Sequence, residues 1–262
     1  ISGTFYEGAV GLSFVHGIRI FSTTALAVTV LWFHAAHALS SAERRSGRMG
    51  EASELIRKVG PEQYELGNLR IDAEERSIRC PGSINMDRGG PIELLACTKG
   101  GKVHESILVL DVEPLRLQLA LLLLDLEMGR NPAVEYPEGS PELERRPADT
   151  VAIQVSWKET GRKEGKGNEI FRPAHELLYN VKKKRVMQEA RWAFIGSRKE
   201  RGRFAAGVTG SLIVTYHDPY GILELALEEV NSDIWYEANS KVLPPVGTGV
   251  ELTIRASRKD EN

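Results

Sequence analysis

Between Pro114 and Gly129 the chain places leucine at 115, 117, 119, 121, 122, 123, 124 and 126. A helix with that pattern is apolar nearly all round and is buried on most of its sides. It is too short to cross a bilayer, which takes roughly 20 apolar residues. Pro114 suits the first helical position, Asp111 or Glu113 stands where the helix dipole favours an acid, and Gly129 suits a C-terminal cap. The run therefore predicts a buried, leucine-rich helix over about 115–127 that a larger apolar surface must cover.

The flanking sequence supplies strands. Leu69–Ile71 and Ser77–Cys80 are short candidates around the turn 72–76, and Ile92–Cys97 and Val103–Leu110 are stronger ones. Further on, Val151–Trp157 alternates apolar and polar residues. Ala190–Ile195, Phe204–Ala206, Ser211–Tyr216 and Val250–Arg255 also read as strands. Ala174–Tyr179 reads as a helical turn and Pro219–Glu229 as a second short helix, about 219–229. Trp157, Trp192 and Trp235 read as core or rim aromatics. The expected class is α+β, mostly antiparallel sheet with these two helices. Residues 130–149, with Pro132, Pro137, Pro141 and Pro147, read as a linker between two lobes, 66–129 and 150–256. Residues 39–65 read as a polar N-terminal extension and 257–262 as a charged tail.

Residues 20–38 carry no charged side chain, Arg19 precedes them, and Ala36-His37-Ala38 ends them in a small-x-small pattern. That is the layout of a signal peptide, over 1–38, cleaved after Ala38. The alternative is an uncleaved signal anchor, since such a run nearly spans a bilayer. The small-residue exit favours cleavage, which makes the protein periplasmic or secreted, with membrane contact only if the segment is retained.

A net charge of −2 argues against nucleic acid as a partner, because that needs a basic surface field. The basic run Lys182-Lys183-Lys184-Arg185 reads as a solvated turn. Two cysteines, Cys80 and Cys97, flank the turn signal Asp87-Arg88-Gly89-Gly90. If that turn closes a hairpin, Cys80 faces Cys97 across an antiparallel pair, and an oxidising compartment permits a disulfide. The alternative is two independent buried thiols. Two cysteines are too few for an iron–sulfur cluster, which takes four ligands.

No phosphate-binding loop, nucleophile elbow or zinc-type spacing is present. The concentrated polar segment is Lys102-Val-His104-Glu105-Ser106. On a strand Lys102, His104 and Ser106 share one face and Glu105 takes the other. Three roles follow for it. One is a binding segment of Lys102, His104, Glu105 and Ser106, or a structural histidine that ties down a neighbouring loop. Another is a metal or redox site of His104, Cys97 and Glu93. The third is a hydrolase pair, Ser106 with His104, although neighbours two apart on a strand stand about 7 Å apart. His217-Asp218-Pro219 reads as a turn.

The order of these segments resembles a known family. Leu66-Gly67, Arg70-Ile-Asp72, Pro81-Gly82, Asn85-Met86, Ile92-Glu93, Gly101-Lys102-Val-His104-Glu105-Ser106-Ile-Leu108, Pro114 and Ala120–Leu124 recur in sequence. Val155-x-Trp157, Trp192-x-Phe-x-Gly196-Ser197, Asp218-Pro219, Ile234-Trp235 and Leu243–Thr248 follow. Over residues 66–256 the chain is similar to the YdjY-domain proteins, an exported group common in planctomycete and verrucomicrobial bacteria. The resemblance implies an exported domain but transfers no activity, cofactor or ligand. The expected function is an extracytoplasmic, non-enzymatic binding or assembly module with the Lys102–Ser106 segment at its centre. The alternatives are the metal or redox protein and the hydrolase.

Overall fold

The computed structural model describes residues 56–145, 147–159, 168–227 and 234–256. The chain runs β1 (Ile56–Gly60), β2 (Gln63–Leu66), β3 (Leu69–Asp72), β4 (Ser77–Ile84), β5 (Leu94–Thr98), β6 (Ser106–Leu110) and helix α1 (Pro114–Leu123). It continues β7 (Thr150–Lys158), β8 (Glu169–Pro173), β9 (Leu178–Asn180), β10 (Arg185–Val186), β11 (Trp192–Phe194), β12 (Lys199–Glu200) and β13 (Arg203–Phe204). Helix α2 (Ala205–Thr209), β14 (Ser211–Val214), β15 (Leu223–Leu225), β16 (Tyr236–Ala238) and β17 (Gly249–Ala256) complete it.

Eight strands close on themselves in the order β4-β17-β7-β11-β15-β14-β5-β6 and back to β4, a barrel rather than an open sheet. The fold is thus mostly β with few helices. Alternation explains the closure. Val250, Leu252, Ile254 and Ala256 of β17 oppose Trp157, Val155, Ile153 and Val151 of β7, and all are buried. Ile78, Cys80 and Ile84 of β4 and Trp192 and Phe194 of β11 join the same core. An eight-stranded barrel is just wide enough for such side chains to fill it. Gly82 sits where β4 meets β6: a Cβ there would lie 2.6 Å from Leu110 Cδ2 and 2.7 Å from the Val109 carbonyl oxygen.

Two strands fork. β4 pairs with β17 along one edge and with β3 and then β6 along the other. β7 likewise pairs with β17 on one side and with β11 and β8 on the other. The ribbon β1-β2-β3 leaves the barrel at β4, so residues 56–65, expected within a polar extension, carry strands. Segments 66–129 and 150–256, expected as lobes, share one barrel sheet, the first contributing β5, β6 and β4 side by side and the second β17, β7, β11, β15 and β14. The stretch between them is tied down at Asn131, whose side-chain amide donates to the Asp218 carbonyl at 3.0 Å.

Helix α1 stops at Leu123, short of the expected 127. Asp125 adopts φ 58°, and the N–H groups of Asp125 and Leu126 return to the carbonyls of Leu122 and Leu121. That is a Schellman cap with an acid in the left-handed position, so Gly129 is not the cap. Gly129 answers a different need: a Cβ there would lie 2.5 Å from Ala148. The helix buries Leu117, Ala120 and Leu121, while Leu115 is exposed, so it is sided rather than enclosed.

Two expectations fail. Pro219–Glu229 holds strand β15 instead of a second helix, since Leu223-Glu-Leu225 pairs with β14 and β11; residues 228 and 229 lie outside the described residues. The hairpin across Asp87–Gly90 does not form, because β6 lies between β4 and β5 in the sheet. Among the described residues no helix is long and apolar enough to cross a membrane, and the expected signal segment lies outside them.

Candidate functional site

β5 and β6 are parallel neighbours, as are β14 and β15. Parallel pairing obliges the chain to travel back along the barrel, usually through a crossover of about a dozen residues or more. Here the returns are short and irregular, residues 99–105 and 215–222. The first approaches the barrel wall closely. A Cβ on Gly210 would lie 2.6 Å from Gly101 Cα, and one on Gly101 would lie 3.0 Å from the Cys97 Cβ. Gly210 also takes φ 72°, so glycine answers both needs there.

The first return ends in a 3₁₀ turn, Val103–Glu105, and not in the expected strand. Asn85, at the end of β4, pins it: the side-chain amide donates to the carbonyls of Val103 and Ser106 at 2.5 and 2.7 Å. The turn directs Lys102 onto Glu93, with Nζ 2.5 Å from Oε2, and leaves the ammonium 3.6 Å from Glu105. The Tyr216 hydroxyl, from the second return, donates to the same Glu93 oxygen at 3.2 Å. Burial alone would raise the Glu93 pKa. Its bonds to Lys102, Glu105 and Tyr216 outweigh that and hold it below the usual carboxylate range. Glu105 moves the other way, raised by burial and then by the Glu93 carboxylate beside it.

The second return and the strand that follows it carry a buried acidic pair, Asp218 and Glu224. Asp218 is 1% exposed; one carboxyl oxygen accepts the Tyr220 N–H at 2.7 Å, and the other is buried without a partner. Glu224 lies within β15, 4% exposed, with Oε1 2.6 Å from His217 Nδ1 and Oε2 buried without a partner. Burial raises the pKa of Asp218. It pushes Glu224 up to about 7, against the opposing pull of His217. A buried acid that lacks partners for its second oxygen is better placed neutral than charged.

Several expected sites come apart. His104 projects into solvent, its side chain 74% exposed and Nε2 3.4 Å from Glu105 Oε1. Among the described residues it ties down no loop. Ser106 is fully buried and donates to the Leu108 carbonyl at 2.9 Å, so it does not share a face with His104 and the two form no nucleophile–base pair. Cys97 is sealed beside Leu94 and Val214, and burial raises its thiol pKa, partly offset by a bond to the Ser106 hydroxyl. His104, Cys97 and Glu93 therefore do not converge, and among the described residues no cluster of three or more His, Cys, Asp or Glu could hold a metal ion.

Cys80 and Cys97 are both free and buried. Cys80 opposes Leu252 in the main core, whereas Cys97 opposes Ser211 and Val109 in the smaller cluster. With β6 between their strands, and Cys97 aligned through Val109 with Ser83 rather than with Cys80, they stand more than two strand spacings apart, over roughly 10 Å, beyond the reach of a disulfide.

Lys102, Glu105 and Glu93 do come together, and His104 stands at their edge. Sequence reasoning missed Tyr216, Asp218 as a buried acid, and Glu224. The available signal was an acid inside the apolar run Leu223-Glu224-Leu225, a position that is costly unless satisfied. The assembled rim offers an accessible ammonium, imidazole and carboxyl on a pinned turn, with a carboxylate and a phenol behind them. That set can hold a polar ligand by hydrogen bonds and charge. It exposes no serine or cysteine nucleophile. Neither curated proteins nor solved structures contain a match to the chain. The family model for the YdjY domain matches residues 69–255, and the chain belongs to the YdjY-domain family.

Proposed function

We propose that this is an extracytoplasmic, non-enzymatic binding or assembly module that presents its ligand-facing groups on the Lys102–Glu105 turn. The observation that carries this reading is the pinned turn itself. Asn85 fixes its backbone, Glu93 fixes Lys102, and His104 remains 74% exposed with no loop to hold. Polar groups organised this closely at a surface are better explained by recognition than by packing. The hydroxyl and thiol that chemistry would need, Ser106 and Cys97, are sealed inside.

The test is thermal melting of the full chain with phosphate, citrate, spermidine, N-acetylglucosamine and diglycine, beside the double variant Lys102→Ala/His104→Ala. At least one compound should raise the melting temperature of the wild type and not that of the variant. No shift, or equal shifts in both proteins, overturns the site. Export is tested separately: mass spectrometry of the mature N-terminus should find Leu39 first, and a cytosolic chain beginning at Met49 overturns the compartment.

A further inference from the structure

Strand β8 is an open edge of the main sheet. It pairs with β7 on one side, and among the described residues no strand meets its other side. The Glu159 N–H donates to the Asn168 carbonyl at 2.9 Å, in register with the β7–β8 pairs. Hydrogen-bonded residues alternate along an antiparallel pair. Asn168, Ile170 and Arg172 therefore turn their main-chain groups toward β7, and Glu169, Phe171 and Pro173 turn theirs away from it. An outward row of main-chain donors and acceptors is a template for one more strand.

The side chains of Glu169, Phe171 and Pro173 share one face. They stand opposite Lys158, Ser156 and Gln154 of β7, on the side away from the buried Trp157 and Val155. Phe171 is 52% exposed there, at the middle of the edge. Edges of this kind are usually guarded by a charge that stands out over them. The acid on this face of β8, Glu169, is instead drawn back over β7 by the Ser156 hydroxyl, which donates to its Oε1 at 3.2 Å.

We propose that this edge pairs antiparallel with β8 of a second copy of the chain, which joins the main sheets of two protomers into one. A two-fold axis at Phe171 sets that residue opposite its own copy. Each Phe171 then gives and accepts a main-chain bond, and the two rings form a cross-strand aromatic pair. The Glu169 N–H meets the carbonyl of Pro173 of the second copy, a residue with no N–H to offer in return. The charges agree with this register. The two Glu169 side chains stand four residues apart along the paired strands, roughly 13 Å, and Arg172 faces Ile170 of the second copy rather than another cation. Such an interface is isologous, the form a two-fold dimer takes. A strand pair this short buries less than the roughly 800 Å² per partner of a standard interface, so the dimer is weak and forms as concentration rises. This goes beyond the Lys102 turn and does not depend on it.

Sedimentation equilibrium of the full chain tests it, with the mass expected to rise from monomer toward dimer between about 5 and about 500 µM. Phe171→Glu removes the ring and sets two like charges across the axis, so it should stay monomeric. Val246→Glu, at an apolar side chain 58% exposed elsewhere, should dimerise as the wild type does. So should Lys102→Ala/His104→Ala, which separates this surface from the rim. Under mild oxidation Phe171→Cys should cross-link into a dimer and Glu169→Cys should not, because residue 171 faces itself and residue 169 does not. A monomer at every concentration, a dimer that survives Phe171→Glu, or equal cross-linking of the two cysteine variants overturns the proposal. A chain that stays monomeric yet binds the peptide Asn-Glu-Ile-Phe-Arg-Pro would assign the edge to a foreign strand, and it overturns the second copy as well. If Phe171→Glu fails to fold, the cross-linking pair decides.

Discussion

Glu224→Gln reports directly on whether the buried acid of β15 is neutral or charged. Its folded pKa of about 7 stands above an ordinary value of 4.5, because burial outweighs the adjacent His217. Between those two values the folded chain keeps a proton that the unfolded chain has released. Stability then falls as pH rises. The contribution is fully present below about pH 4.5 and is lost as pH passes through about 7. A shift of about 2.5 pH units corresponds to about 3 kcal/mol in total, at 1.36 kcal/mol per unit.

Glutamine keeps the shape of the protonated acid and does not titrate. The difference in unfolding free energy, wild type minus Glu224→Gln, should therefore fall by about 2.5 kcal/mol between pH 5 and pH 8. Urea unfolding followed by the fluorescence of the buried Trp192 and Trp157 measures it at each pH. Taking the difference cancels the titration of Glu105 and Glu93, neither of which acts on Glu224. A flat difference would mean that burial does not govern Glu224. A difference that rises with pH would mean that His217 and Glu224 form a true ion pair, and either result refutes the reasoning.

Three further outcomes follow from the geometry. His104→Ala should leave stability within about 0.5 kcal/mol of wild type, as expected for a solvent-facing side chain, and a larger loss by thermal melting would restore a structural role. Asn85→Ala removes two donors from the Val103 and Ser106 carbonyls and should cost roughly 1–3 kcal/mol in urea unfolding. Thiol titration should find two thiols in denaturant and almost none in the native protein, and non-reducing peptide mapping should find Cys80 and Cys97 unlinked.

Elements written in local pattern were legible in the sequence. The alternation of Val151–Trp157 and Val250–Arg255 gives β7 and β17, and the leucine run gives α1. Elements that depend on distant partners were not. The turn signal at Asp87–Gly90 is real, but β17 claims one edge of β4 and β3 and β6 claim the other, so the hairpin partner is displaced. Leu223–Leu225 is too short to show a period, and only its pairing with β11 and β14 makes it a strand. The Lys102–Ser106 segment stood out for its concentration of polar side chains, but its faces were assigned on strand geometry. The 3₁₀ turn puts His104 into solvent, while Ser106, the first residue of β6, is buried in the wall.

The rim cluster follows from a topological demand. Two parallel pairs in one barrel require two returns, and both here are too short to form covering helices. Their peptide and side-chain polar groups must then find partners near the wall. The first return brings Lys102 and Glu105 to Glu93, at the start of β5. The second brings Tyr216 to the same carboxylate, because β14 runs antiparallel to β5 and ends where β5 begins. Glu93 is therefore the point at which both returns are fastened. Thr215 strengthens it through two bonds, its N–H to the Glu93 carbonyl at 2.9 Å and its hydroxyl to the Ile92 carbonyl at 2.8 Å. The groups that satisfy the fold at this rim are thus the same groups that hold Lys102, His104 and Glu105 outward. This is why a loop with no helix or strand of its own can present a fixed surface.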